Sequence, residues 1–301
     1  MMRSLNTRPT IHPSLRTAFA AAVLATFAFS VSAHRVEKHF AVSGRPVVTI
    51  HNSNGRIQVK SWNKAEVMFV ADHATSNTEV ESEQVDSRIE IGTRVLNASA
   101  RSADLQADYT VTVPEETELE VRTDSGSITV ASVHGNMTFD TLAADVNLMD
   151  VGGVVMVTTA DGSIVCSRCD GSSFKAETVG GNVQLLQPVM DKVTVHTTAG
   201  NILFDGDFLR HGIYVLRSDT GNTEVHYGAA SSFDLKATSV RGSVISQASF
   251  APDKHGSKRD NASRIPGSKS LFGTVGRGSA RVELSSFSGT IKILVRDAVA
   301  P

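Results

Sequence analysis

Two stretches carry residues that could do chemistry together, RTDSGSITV at 122–130 and RSDTGNTEV at 217–225. Asp-Ser-Gly and Asp-Thr-Gly are the triplets in which aspartic proteases hold their two catalytic carboxylates. That chemistry works only when the two groups share one proton, which requires a separation of about 3 Å. Asp124 and Asp219 are therefore a catalytic pair only if the elements that carry them bring them together.

Those elements are repeats. The pattern apolar-x-apolar-x-[Ser/Thr]-x-x-Gly-x-apolar-x-apolar fits VTIHNSNGRIQV at 48–59, LEVRTDSGSITV at 119–130, MTFDTLAADVNL at 137–148 and VMVTTADGSIVC from 155. It continues in FKAETVGGNVQL from 174, VTVHTTAGNILF from 193, YVLRSDTGNTEV from 214, LKATSVRGSVIS from 235 and VELSSFSGTIKI from 282. From 126 the glycine slot falls at 126, 144 (an alanine), 162, 181, 200, 221 and 242, in steps of 18 to 21 residues. Two short alternating strands per unit at that period predict an all-β solenoid, each coil stacking on the one before it. Alternation gives each strand one inward and one outward face.

Each slot has a structural purpose. Two residues after the glycine stand Ile57, Ile128, Val146, Ile164, Val183, Ile202, Thr223, Val244 and Ile291, a column suited to burial. Three residues before it stand Asn52, Thr123, Thr141, Thr159, Thr178, Thr197, Ser218, Ser239 and Ser286, side chains that bond nearby backbone at a turn. The glycine itself is expected to supply a positive φ at the corner. Asp124 and Asp219 occupy the variable slot two before the glycine, filled elsewhere by Ser53, Leu142, Ala160, Val179, Thr198, Val240 and Phe287. Five coils separate them, about 24 Å at the spacing of stacked strands. The triplets are turns.

The start of the chain reads as a secretory leader. Arg3, Arg8 and Arg16 precede an apolar run from Ala18 to Phe29, and Val31-Ser32-Ala33 forms a small-x-small exit, so cleavage is expected after Ala33. The apolar run is too short to span a bilayer, and no comparable run follows. Removing those three arginines from the 29 basic residues leaves 26 against 31 acidic, a formal charge of −5. That balance opposes a general nucleic-acid binder. The expected organisation is a signal peptide over 1–33, an N-terminal β region over 34–118 that includes the first repeat, and a solenoid over 119–301. Within 60–118, VMFVADHA, SRIEIGTRV and ADYTVTVP read as strands of wider coils or of a sheet covering the open end.

The step from Gly242 to Gly289 is one coil plus about 26 residues, so a projecting loop is expected at 251–275. Lys254, Lys258, Arg259, Arg264 and Lys269 outweigh Asp253 and Asp260 there, and they are the candidate contacts for an anionic partner. Cys166 and Cys169 form C-S-R-C, read as core residues or as a disulfide across a turn in an oxidising compartment. His73, His134, His196, His211 and His226 share no metal-ligand spacing. Cleavage after Ala33 would leave His34 as an N-terminal histidine, with His39 nearby. Lytic polysaccharide monooxygenases bind copper at such a residue, but on β-sandwiches. Asp161-Gly162 and Asp170-Gly171 read as turns rather than calcium loops. GTVGRG at 273–278 precedes no helical pattern, so it is not a nucleotide motif. Neither a cofactor nor a catalytic residue is expected.

VVTIHNSNGRIQVKSWNKAEVMFVA at 47–71, YTVTVPEETELEVRTDSGSITV at 109–130 and the T-x-x-G-x-I-x-V units resemble the bacterial DUF4097 family of adhesin-like proteins, related to the head domain of autotransporter adhesins. The resemblance implies a right-handed single-stranded β-helix, export, and an adhesive or envelope role, with no catalytic residues to carry over. The resulting expectation is an exported, non-catalytic binding protein of the cell envelope, periplasmic, outer-membrane-associated or extracellular. Its partner would be an envelope polysaccharide or a surface protein. The alternatives are a structural component that self-associates through its coil ends, and a polysaccharide-active β-helix enzyme.

Overall fold

The computed structural model describes residues 34–73, 77–250 and 269–296. The leader over 1–33 lies outside them, as do Lys254, Lys258, Arg259 and Arg264. The chain opens with β1 (His34–Ala41) and lays down the first repeat as one long strand, β2 (Val47–Trp62). Four strands follow before the repeat resumes: β3 (Glu66–His73), β4 (Thr78–Val85), β5 (Arg88–Val95) and β6 (Ala107–Pro114). β7 (Glu118–Ala131) and β8 (His134–Met149) again run through the glycine corner without a break.

From there the corner separates a first leg from a second. The pairs are β9 (Gly152–Thr159) with β10 (Ile164–Ser167), β11 (Asp170–Thr178) with β12 (Val183–Leu186), and β13 (Val189–Thr197) with β14 (Ile202–Asp205). β15 (Ile213–Ser218) with β16 (Thr223–Tyr227), and β17 (Phe233–Ser239) with β18 (Val244–Ser246), continue the series. β19 (Ser270–Val275) stands alone, and β20 (Ala280–Ser286) with β21 (Ile291–Val295) ends it. Of the stretch expected to project as a loop, Ser270–Val275 is thus a strand. No helix among the described residues is long and apolar enough to cross a membrane.

The legs stack in parallel into a β-solenoid. One column runs Tyr109, Ile57, Ile128, Val146, Ile164, Val183, Ile202, Thr223, Ile291 and Val244 in register. All of these side chains are buried, as the alternation predicts. At both ends, however, stacking departs from sequence order. The last repeat, β20–β21, inserts between β15–β16 and β17–β18. The first, β2, lies between β7 and an extra coil made of β5 and β6. Both terminal repeats are therefore paired on two sides, which spares them the open edges a simple sequential stack would leave.

Antiparallel strands finish the ends. β4 pairs with β5, β3 with β6 and β1 with β3 at one end, and β19 pairs with β17 at the other. The stretch over 60–118 thus supplies both a coil and a covering sheet.

The corner glycines answer to space more than to φ. Only Gly55 and Gly126 of that column have a positive φ. A Cβ on Gly181, Gly200, Gly221 or Gly289 would stand 1.8–1.9 Å from the carbonyl oxygen of the glycine in the neighbouring coil. The hydroxyl slot binds the same corner. Thr197 Oγ1 accepts the N–H of Gly200 at 2.9 Å and donates to the Gly181 carbonyl at 3.2 Å. Ser239 repeats this with the Gly242 N–H and the Gly289 carbonyl at 3.0 and 2.8 Å.

Candidate binding site

The two aspartates that opened the question stay apart. Asp124 sits exposed on the β7 coil and Asp219 at the corner after β15, with the coils of β8, β9, β11 and β13 between them. Asp219 accepts from Arg217 Nε at 3.0 Å and lies 3.7 Å from His196 Nε2. It serves a surface ion cluster. Cys166 is buried in register between Leu148 and Leu185, and a disulfide joins it to buried Cys169 across the turn at Arg168. Trp62 donates its indole N–H to the Glu66 carbonyl at 2.7 Å and carries Lys64 over its ring, which makes it a local clasp. His134 faces Asp170 at 3.8 Å across Gly152, where an added Cβ would meet both side chains at under 2.5 Å.

A different place has the shape of a site. Where the last coils turn from second leg to first, a depression of about 630 Å³ opens, within the usual size of a small-ligand pocket. Its floor is Tyr227, Val275 and Val295, and Ser231, Ser232, Gln247, Ser249 and Ser279 bring polar groups to it. Arg210 and Arg277 are exposed on its margin. Among the described residues neither has a carboxylate partner, whereas nearby Arg296 is paired with Asp205 and Asp207.

The local sequence explains this arrangement. β19 and β20 lie on opposite sides of β17, so Gly276–Ser279 must arch over the start of that strand. Gly276 and Gly278 take φ of 63° and 69°, which turns the arch. Ser232 lies beneath it: its hydroxyl accepts the N–H groups of Arg277 and Ser279 at 2.8 and 3.2 Å. Ser279 returns a bond from its hydroxyl to the Ser232 carbonyl at 2.9 Å. The GTVGRG stretch is thus an arch that presents Arg277. The second arginine arrives on the 206–212 loop, held by the N–H of His211 on the Ser279 carbonyl at 2.6 Å.

Nothing in the repeat pattern marks Arg210 or Arg277. The signal that could have found them is the pair of glycines flanking Arg277 between two strands. Of the expected basic contacts, Lys269 is described. It is exposed, and its carbonyl accepts the Ser239 N–H at 2.7 Å, beside the same end of the solenoid.

A depression lined in this way presents guanidinium donors to an anion. Tyr227 is buried, and that burial holds its hydroxyl above the usual phenol range. Among the described residues, the polar side chains around the depression are guanidinium groups, hydroxyls and the Gln247 amide.

A family model described as Toastrack DUF4097 matches residues 47–294. A "putative adhesin" from Bacteroides fragilis is similar at 9% identity and a TM-score of 0.45, covering 87% of this chain and 97% of its own. A "putative cell adhesion protein" from Clostridium sporogenes is similar at 10% identity and a TM-score of 0.28, over 87% and 100%. A "putative adhesin" from Parabacteroides merdae is similar at 8% identity and a TM-score of 0.33, over 86% and 96%. No curated protein matches the chain.

Proposed function

The chain belongs to the Toastrack DUF4097 family, and from that premise we propose that it is an exported, non-catalytic, adhesin-like binding protein of the bacterial envelope whose ligand is an acidic polysaccharide. The observation that carries this reading is the depression bordered by Arg210 and Arg277, two exposed guanidinium groups without carboxylate partners among the described residues. A guanidinium presents a rigid fork of donors that matches a carboxylate or phosphate, and serines beside it suit sugar hydroxyls. The stretch bearing Lys254, Lys258, Arg259 and Arg264 follows Ser249 in sequence, and we assign those cations, with Lys269, to the same recognition of a polyanion. Export rests on the leader read from residues 1–33.

The test is titration calorimetry of the purified protein against alginate, with an uncharged β-glucan as control. Saturable binding of alginate alone, weakened at least about tenfold by R210A/R277A, supports the reading; tenfold corresponds to about 1.4 kcal/mol. Equal binding of both polymers, or none, overturns the acidic-glycan assignment. Release of new reducing ends during incubation overturns the non-catalytic one.

A further inference from the structure

The two faces of the solenoid are equal in number but not aligned. The first-leg face runs β4, β5, β2, β7, β8, β9, β11, β13, β15, β20, β17, β19. The second-leg face runs β1, β3, β6, β2, β7, β8, β10, β12, β14, β16, β21, β18. Among the described residues each face holds twelve strands, displaced by one strand relative to the coils. Beyond its last full coil, the N-terminal end carries one strand on the first face (β4) and two on the second (β3 and β1). Among the described residues, the C-terminal end carries one on the first face (β19) and none on the second. Each end is a step, and the two steps are complementary. Set end to end, two copies place β19 and β4 between their coils on one face, and β1 and β3 between them on the other.

Strand direction agrees. β4 and β19 both run opposite to the first legs, so copies related by translation along the axis bring them together parallel. β1 is reversed twice relative to the second legs, through β3 and β6, so it meets β18 parallel as well. Outer strands with unpaired backbone groups are templates for such pairing.

On the first-leg face the charge of the two ends is also matched. β4 carries Glu79, Glu81 and Glu83 and no cation. Arg94 pairs with the first two, while Glu83 faces another acid, Glu90, across the strand pair. At the other end, Lys269 and Arg277 flank β19, which itself carries no acid, and Phe272 on β19 is half exposed. Charged edge strands alone can serve to prevent association. Opposite charge on β4 and beside β19 blocks like-to-like contact on that face but favours head-to-tail contact.

We propose that the protein assembles head to tail with further copies of itself, the β19–β18 end of one copy docking on the β4–β1 end of the next. The experiment is sedimentation velocity of the purified protein over a range of concentrations, at low salt and at 1 M salt, where charge attraction is screened beyond about 3 Å. The wild type is expected to grow past monomer with concentration and to shrink in 1 M salt. Glu83→Lys alters one end and Phe272→Asp the other; each alone should stay monomeric, and an equimolar mixture should recover one interface and stop at the dimer. Should either variant fail to fold, Glu79→Lys or Lys269→Glu replaces it at the same end. A wild type that is monomeric throughout overturns the proposal, as does a single-end variant that assembles like wild type or a mixture that does not recover.

Discussion

Asn222 Oδ1 accepts the backbone N–H of Thr290 at 2.9 Å, although the two stand 68 positions apart in the chain. The bond belongs to a ladder in which Asn182 serves Asn201 and Asn201 serves Asn222 in the same way, at 2.8 and 2.9 Å. Each amide caps the N–H at the corner of the next coil in space. The ladder therefore records spatial order, and it steps from the seventh repeat to the ninth, leaving the eighth outside.

That order makes Gly289 an interior residue rather than a terminal one. A Cβ there would stand 1.8 Å from the Gly221 carbonyl oxygen, and a β-carbon so close to fixed backbone forces the coils apart. Gly289→Ala is expected to lower stability by about 3 kcal/mol or more, read as a fall in the urea midpoint. Gly92→Ala is the control, since its nearest neighbour would be His51 Cβ at 3.9 Å without a positive φ. It should be neutral or stabilising by up to about 1 kcal/mol. Equal midpoints for the two variants would remove the insertion of the last repeat from the fold.

The coil was legible in sequence because its signals are local and repeated. Apolar alternation recurs in every unit, the hydroxyl three before the glycine in all but the first and the glycine in all but the third, where Asn52 and Ala144 stand. The order of coils was not legible at the ends. β20–β21 carries the same pattern as its neighbours, so nothing in Ile291 or Gly289 distinguishes a coil that follows Gly242 from one that slips in before it. The binding depression was hidden for a similar reason: Arg210 and Arg277 lie 67 positions apart in irregular segments, and only the arch over Ser232 brings both to one place.

His39 ties the outermost strand of the second face to its neighbour. Its Nδ1 bonds Glu66 on β3, and its Nε2 lies 3.1 Å from Glu37. These bonds hold its pKa above the ordinary 6.5, the Glu66 bond contributing most. The sign follows from linkage: a raised folded-state pKa stabilises fully below 6.5, and the contribution is lost as pH rises through the raised value. Histidine resonances followed by NMR should show His39 titrating above 6.5, and Glu66→Gln should bring it back toward that value. A His39 that titrates normally in the wild type would dissociate the β1–β3 contact from protonation.

The same substitution in two columns should act with opposite signs. Thr197 is fully buried at the corner, where its hydroxyl serves Gly200 and Gly181 at once. Thr197→Val keeps the shape but strands a buried N–H, at a cost of about 1–3 kcal/mol. Thr223 is equally buried, but it stands in the aliphatic column between Ile202 and Ile291, and its Oγ1 has no hydrogen-bond partner among the described residues. Thr223→Val replaces an unsatisfied hydroxyl with a methyl and should raise stability by about 1 kcal/mol. Thr197→Ser, which retains the hydroxyl, should lose less than Thr197→Val, separating the bond from the volume. Thermal and urea unfolding of the three variants decide it. If both valines destabilise alike, the corner hydroxyls are packing groups and the ladder of bonds at the glycines is not what orders the coils.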